Sequence, residues 1–146
     1  MIRKKAAGWA GRYGRPLVSS MAATLISANI AFSLTGSAII SAFIATWVDN
    51  TIFYGMIAYK DLASRKKQDG GLGRLGVLKV LRNMLLEFGP AEWLDSLIVR
   101  PLFLSTLPYL ISNYSLAIIV GAVAADATYF IPTIIAYETR IKVLGE

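Results

Sequence analysis

LVSSMAATLISANIAFSLTGSAIISAFIATWVDNTIFYGMIAY, residues 17–59, runs for 43 residues with a single charge, Asp49. A helix that crosses a bilayer needs about 20 apolar residues. One straight helix of this length would reach roughly 65 Å at about 1.5 Å per residue, about twice the hydrocarbon thickness. The stretch therefore folds back as a hairpin, and Thr35-Gly36 is where it can turn. Residues 101–137 repeat the problem: 37 residues hold one charge, Asp126, and Ser112-Asn113 offers the turn. The whole chain agrees with this reading. Of 146 residues 55% are hydrophobic and 16% charged, with mean hydropathy +0.56. A water-facing domain carries about a quarter charged residues.

The net charge of +6 would suit nucleic acid, but its placement argues against that partner. Every Lys and Arg falls in the N-terminal arm (Arg3, Lys4, Lys5, Arg12, Arg15), between Lys60 and Arg100, or at Arg140 and Lys142. Neither hairpin turn has any. This is the positive-inside pattern, and it predicts an even number of crossings with both termini and the long loop on the cytoplasmic side of a plasma or cytoplasmic membrane. The expected fold is all-α and integral to the membrane. A basic arm (1–15) precedes hairpin 1 (16–59, helices 16–34 and 38–59). A cytoplasmic loop (60–91) leads to hairpin 2 (92–138, helices 92–111 and 115–137) and a tail (139–146). Pro16 suits the first turn of its helix.

Within the loop, Asp69-Gly70-Gly71 reads as a flexible break. The run from Arg74 to Phe88 places Val77, Val80, Leu81, Met84, Leu85 and Phe88 on one face, with Lys79, Arg82, Asn83 and Glu87 on the other. That pattern predicts a short amphipathic helix lying on the membrane surface, against anionic headgroups. Gly89-Pro90 would then start the next helix, with Trp93 as interfacial anchor and Pro101 and Pro108 as kinks.

The hairpins read as copies. Asp49-Asn50-Thr51-Ile52-Phe53 aligns with Asp126-Ala127-Thr128-Tyr129-Phe130 at an offset of 77, and the two turns align at the same offset. Both units start and end on one side, so the repeats are parallel and the pseudo-twofold axis runs along the membrane normal, as in parallel-repeat transporters.

Asp49 and Asp126 lie roughly 15 Å from the cytoplasmic boundary, counted at about 1.5 Å per residue. A carboxylate at that depth costs on the order of 3 kcal/mol and faces the bundle interior. The two could share a proton or cation, be satisfied by neighbouring polar groups, or meet a residue of another subunit. Arg100 either snorkels to the headgroups or pairs with Asp126. Asn50, Thr51 and Thr128 complete the candidate set, as ligands or as interhelical hydrogen-bonding groups.

The chain has no histidine and no cysteine, which removes triad, thiol and zinc chemistry. No pattern calls for a metal, a cofactor or a nucleotide, and no catalytic residue stands out. Three functions remain. One is a small oligomeric ion- or proton-coupled transporter or channel built on the Asp pair. Another is a non-catalytic accessory or assembly subunit docked on a partner membrane subunit. The third is a lipid-acting enzyme using Glu87, Glu92, Asp95 and Arg100.

Overall fold

The computed structural model describes residues 2–68, 70–71 and 73–145, with side chains from Lys5 onward. Helices account for nearly all of them, and no strand occurs among the described residues. Helix α1 spans Ile2–Thr35 and α2 spans Ala38–Gln68. Helix α3 (Arg74–Leu94) passes through a π-turn (Asp95–Val99) into α4 (Arg100–Leu110), and α5 spans Tyr114–Leu144.

Both turns sit where the sequence places them. Gly36 takes φ +66°, a left-handed conformation that a side chain would strain, and its N–H closes α1 onto the Phe32 carbonyl at 2.8 Å. Asn113 caps α5, its side chain accepting from the Leu116 N–H at 3.0 Å, which satisfies one of the orphan donors of the first turn. Of the expected loop break, Gly70 has φ +67°, while Asp69 lies outside the described residues.

Three expectations need correction. Pro16 does not begin a helix, because α1 starts fourteen residues earlier and carries Pro16 inside it. The loss of one backbone bond there is offset by Tyr13, which is buried in the core, and by Trp9 packed against it. Gly89-Pro90 does not break the chain either: α3 runs through both. Nor do residues 74–88 form a separate helix with Asn83 and Glu87 on a water-facing side, because α3 continues to Leu94. The buried side chains of that stretch are Val80, Asn83, Glu87 and Phe88, while Leu75, Leu78, Leu81 and Leu85 are exposed.

The bundle has two interiors. Near the hairpin turns, Ala28, Ala42, Ala45, Leu104, Ile118 and Ala122 pack together. Small residues let the helices approach closely; a Cβ on Gly121 would lie 3.3 Å from Leu104 and from the Phe103 carbonyl. Near the termini the filling is aromatic, with Tyr13, Phe53, Phe88 and Tyr129 edge to face, a favoured geometry for ring pairs.

The outside inverts the pattern of a water-soluble protein. From Pro16 to Tyr59 and from Leu85 to Tyr137, no charged side chain is exposed. Large apolar side chains are exposed instead, among them Leu34 at 81%, Ile131 at 66% and Leu110 at 79%. Two helices, α1 over Lys5–Thr35 and α5 over Tyr114–Leu144, are each long and apolar enough to cross a membrane.

Candidate functional site

The π-turn builds the site. Pro101 has no N–H to give its helix, and immediately before it the coil widens, so that the Arg100 N–H bonds to the Asp95 carbonyl five residues back. Positions five apart lie on different faces of an α-helix but nearly one full turn apart in a π-turn. Asp95 and Arg100 therefore point the same way, and Arg100 Nε donates to Asp95 Oδ2 at 2.8 Å.

Arg100, 3% exposed, gathers carboxylates from three segments. Its Nη2 donates to Asp126 Oδ1 on α5 at 2.6 Å, and its Nη1 lies 3.3 Å from Asp49 Oδ2 on α2. The other Asp49 oxygen accepts from Thr24 Oγ1 on α1 at 2.8 Å. The second Asp95 oxygen, Oδ1, is buried and meets no donor among the described residues. Asp49 and Asp126 are thus brought to one centre, with the Arg100 guanidinium between them.

A second carboxylate adjoins. Glu92 accepts from Tyr54 and Ser96, and from Asn50 Nδ2 at 2.8 Å. Asn50 also donates to Ser96 Oγ at 2.7 Å, and Tyr54 shares a 2.7 Å hydrogen bond with Tyr129. No cation stands within ion-pairing distance of Glu92 among the described residues. The interior between these groups, lined by Asp49, Asn50, Tyr54, Asp95, Arg100 and Asp126, encloses about 10 Å³, close to the space of one water molecule.

Not every candidate arrives there. Thr51 and Thr128 are exposed and donate only to their own helix, at Trp47 and Ala124. Thr24, Ser96 and Tyr54 were missed, since a buried hydroxyl looks like helix glue until its partner is known. Of the four residues considered for a lipid-acting enzyme, Glu87, Asp95 and Arg100 are buried, and only Glu92 borders a surface cleft, beside Tyr54, Met84 and Phe88.

A separate ionic cluster ties the N-terminal part of α1, the end of α2, α3 and the C-terminal part of α5 together. Arg12 donates to both Asp61 oxygens, at 2.8 and 3.0 Å, and to both Glu87 oxygens at 2.8 Å. Arg140 Nη2 lies 3.2 Å from Glu87, which also accepts from Tyr13. Burial opposes the charge on Arg12, but Asp61 and Glu87 outweigh it and hold its pKa above the ordinary value. Burial, and then the Glu87 charge, push the Tyr13 phenol upward.

Compared with family models, with curated proteins and with solved structures, the chain matches none.

Proposed function

We propose that this chain crosses the membrane four times and moves protons through the cluster at Arg100, as a proton-coupled transporter or channel. One observation carries the reading: a single buried guanidinium faces Asp49, Asp95 and Asp126 around a cavity of about 10 Å³, with Glu92 beside them at the edge of a surface cleft. Holding the three buried carboxylates ionised against one cation would leave two negative charges in excess. Each uncompensated ion in such a place costs several kcal/mol, so charge balance calls for exchangeable protons on the cluster. The interior has space for about one water, which suits a proton and excludes a larger solute in this conformation.

The belt of exposed apolar side chains around all four long helical segments supports four crossings, at about 16–34, 38–59, 92–111 and 115–137, including the two whose interior acids reduce their hydropathy. The distribution of Lys and Arg supports termini and loop on the cytoplasmic side. The chain has no native cysteine, so single Lys67→Cys and Asn113→Cys variants report cleanly. Position 67 is expected to label only from the cytoplasmic side and 113 only from outside; labelling of 67 from outside overturns the four-crossing topology. The sequence match of Asp49 with Asp126 at an offset of 77 supports the same reading, since both lie against one arginine.

The functional test is proton flux in proteoliposomes carrying a trapped pH dye. Wild type should collapse an imposed pH gradient, and Asp126→Asn should slow this by an order of magnitude or more. Equal rates in protein-free liposomes, wild type and variant would overturn the transport reading. A shallow apolar groove of about 450 Å³ on α2, formed by Phe43, Ile44, Trp47, Val48 and Ile52, favours a second reading, an accessory subunit or homo-oligomer docked through that face. Under that reading Trp47→Ala should change the oligomeric state of the purified protein and leave the pH gradient untouched.

A further inference from the structure

Between α1 and α2, away from the Arg100 cluster, a cleft of about 780 Å³ runs along the cytoplasmic half of the hairpin. Its deeper wall is Pro16, Gly55 and Met56, and its rim carries Arg15, Lys60 and Lys67 with no acidic lining residue. A Cβ at Gly55 or at Gly11 would meet nothing within 4 Å, so the missing side chains leave open space. Arg15 is exposed and has no carboxylate partner among the described residues. Lys60, which lines the cleft, reaches across to the Gly11 carbonyl, which uses one of its three N–H groups and leaves two for a ligand. An apolar floor beneath three cations matches the two ends of one molecule.

We propose that this cleft binds an anionic phospholipid, its phosphate held by Arg15, Lys60 and Lys67 and the upper part of an acyl chain lying on Pro16, Gly55 and Met56. The proposal rests on the four-crossing reading, which puts the rim at headgroup level and the floor inside the hydrocarbon. It differs from general attraction of a basic loop to a charged surface, because one cleft would hold one lipid molecule.

The test uses the full chain, purified in a neutral detergent and titrated with dioleoyl phosphatidylglycerol or dioleoyl phosphatidylcholine, with bound lipids counted by native mass spectrometry. Wild type should retain one phosphatidylglycerol with a preference on the order of tenfold or more over phosphatidylcholine. The combined Arg15→Gln, Lys60→Gln, Lys67→Gln variant should lose that preference. Gly55→Leu, which fills the floor without touching a charge, should lower retention of both lipids. Equal retention of the two lipids by wild type, or an unchanged preference in the triple variant, overturns the proposal, as does complete displacement by soluble glycerol 3-phosphate, which has no acyl chain. Carbonate washing of membranes holding the same proteins separates the failures. Protein released by carbonate removes the membrane reading and the cleft proposal together, whereas retained protein without lipid preference removes only the cleft.

Discussion

The molecule holds two buried ionic clusters, and their charge counts differ. Near the two termini, Arg12 and Arg140 meet Asp61 and Glu87, two cations against two anions among these ion pairs of the described residues. Deeper in the bundle, Arg100 alone meets Asp49, Asp95 and Asp126. A balanced set needs no protons from outside and serves to fasten the arm, loop and tail to one another. An unbalanced set of buried acids disfavours full ionisation, which is the basis of the proposed proton uptake. The comparison teaches that burial of acids alone does not single out a candidate site; the surplus does.

Removing the only cation of the surplus cluster should have the largest effect. Arg100→Gln leaves three acids facing one another, and at pH 8 the bundle should lose about 3–5 kcal/mol, measured by denaturant titration of helix content in mild detergent. Glu87→Gln breaks the balanced cluster by leaving Arg12 and Arg140 facing Asp61 alone. Its cost should be about 2 kcal/mol, since the amide keeps some hydrogen bonds and Arg12 keeps Asp61. Asp126→Asn should cost less than about 1 kcal/mol, because it removes one charge of an excess. If Asp126→Asn destabilises more than Glu87→Gln, the distinction between the clusters fails.

The smallest effects sharpen the contrast. Thr51→Val and Thr128→Val should stay within about 0.5 kcal/mol of wild type, since each hydroxyl donates only to its own helix. The balanced cluster should also be flat with pH through the neutral range. The Arg12 pKa is raised, so its guanidinium keeps its charge, and the Tyr13 phenol is raised above its ordinary value of about 10. A raised phenol stabilises the fold below the unfolded pKa and loses that contribution as pH climbs, so the decline in stability should begin only above about pH 10. In Tyr13→Phe that alkaline decline should shrink, as read by thermal unfolding between pH 6 and 11.

The two helical hairpins, both turns and the inward-facing acids Asp49 and Asp126 were legible because run length and isolated charges are local properties. The face of α3 was not. Of the apolar face, Leu81 and Leu85 are exposed while Val80 and Phe88 are buried, and Asn83 and Glu87 of the polar face are buried too, Glu87 against Arg12, 75 positions away. No local pattern carries a partnership of that range. Asp95 was hidden for a different reason: five residues from Arg100, it belongs to another face of any regular α-helix, and only the π-turn brings the two together. Pro101 was the available signal, since a proline inside a long helix calls for some local rearrangement before it.

The surplus of acid at Arg100 is tested most directly by infrared absorption of carboxyl groups in the full chain, reconstituted in lipid and titrated from pH 5 to 9. The account predicts a protonated-carboxyl band that persists at pH 7, shifts in deuterated water, titrates as one coupled unit and weakens in Asp126→Asn, while Glu87→Gln leaves it unchanged. Absence of any protonated-carboxyl band at pH 7, or a band that disappears with Glu87→Gln instead, would contradict it.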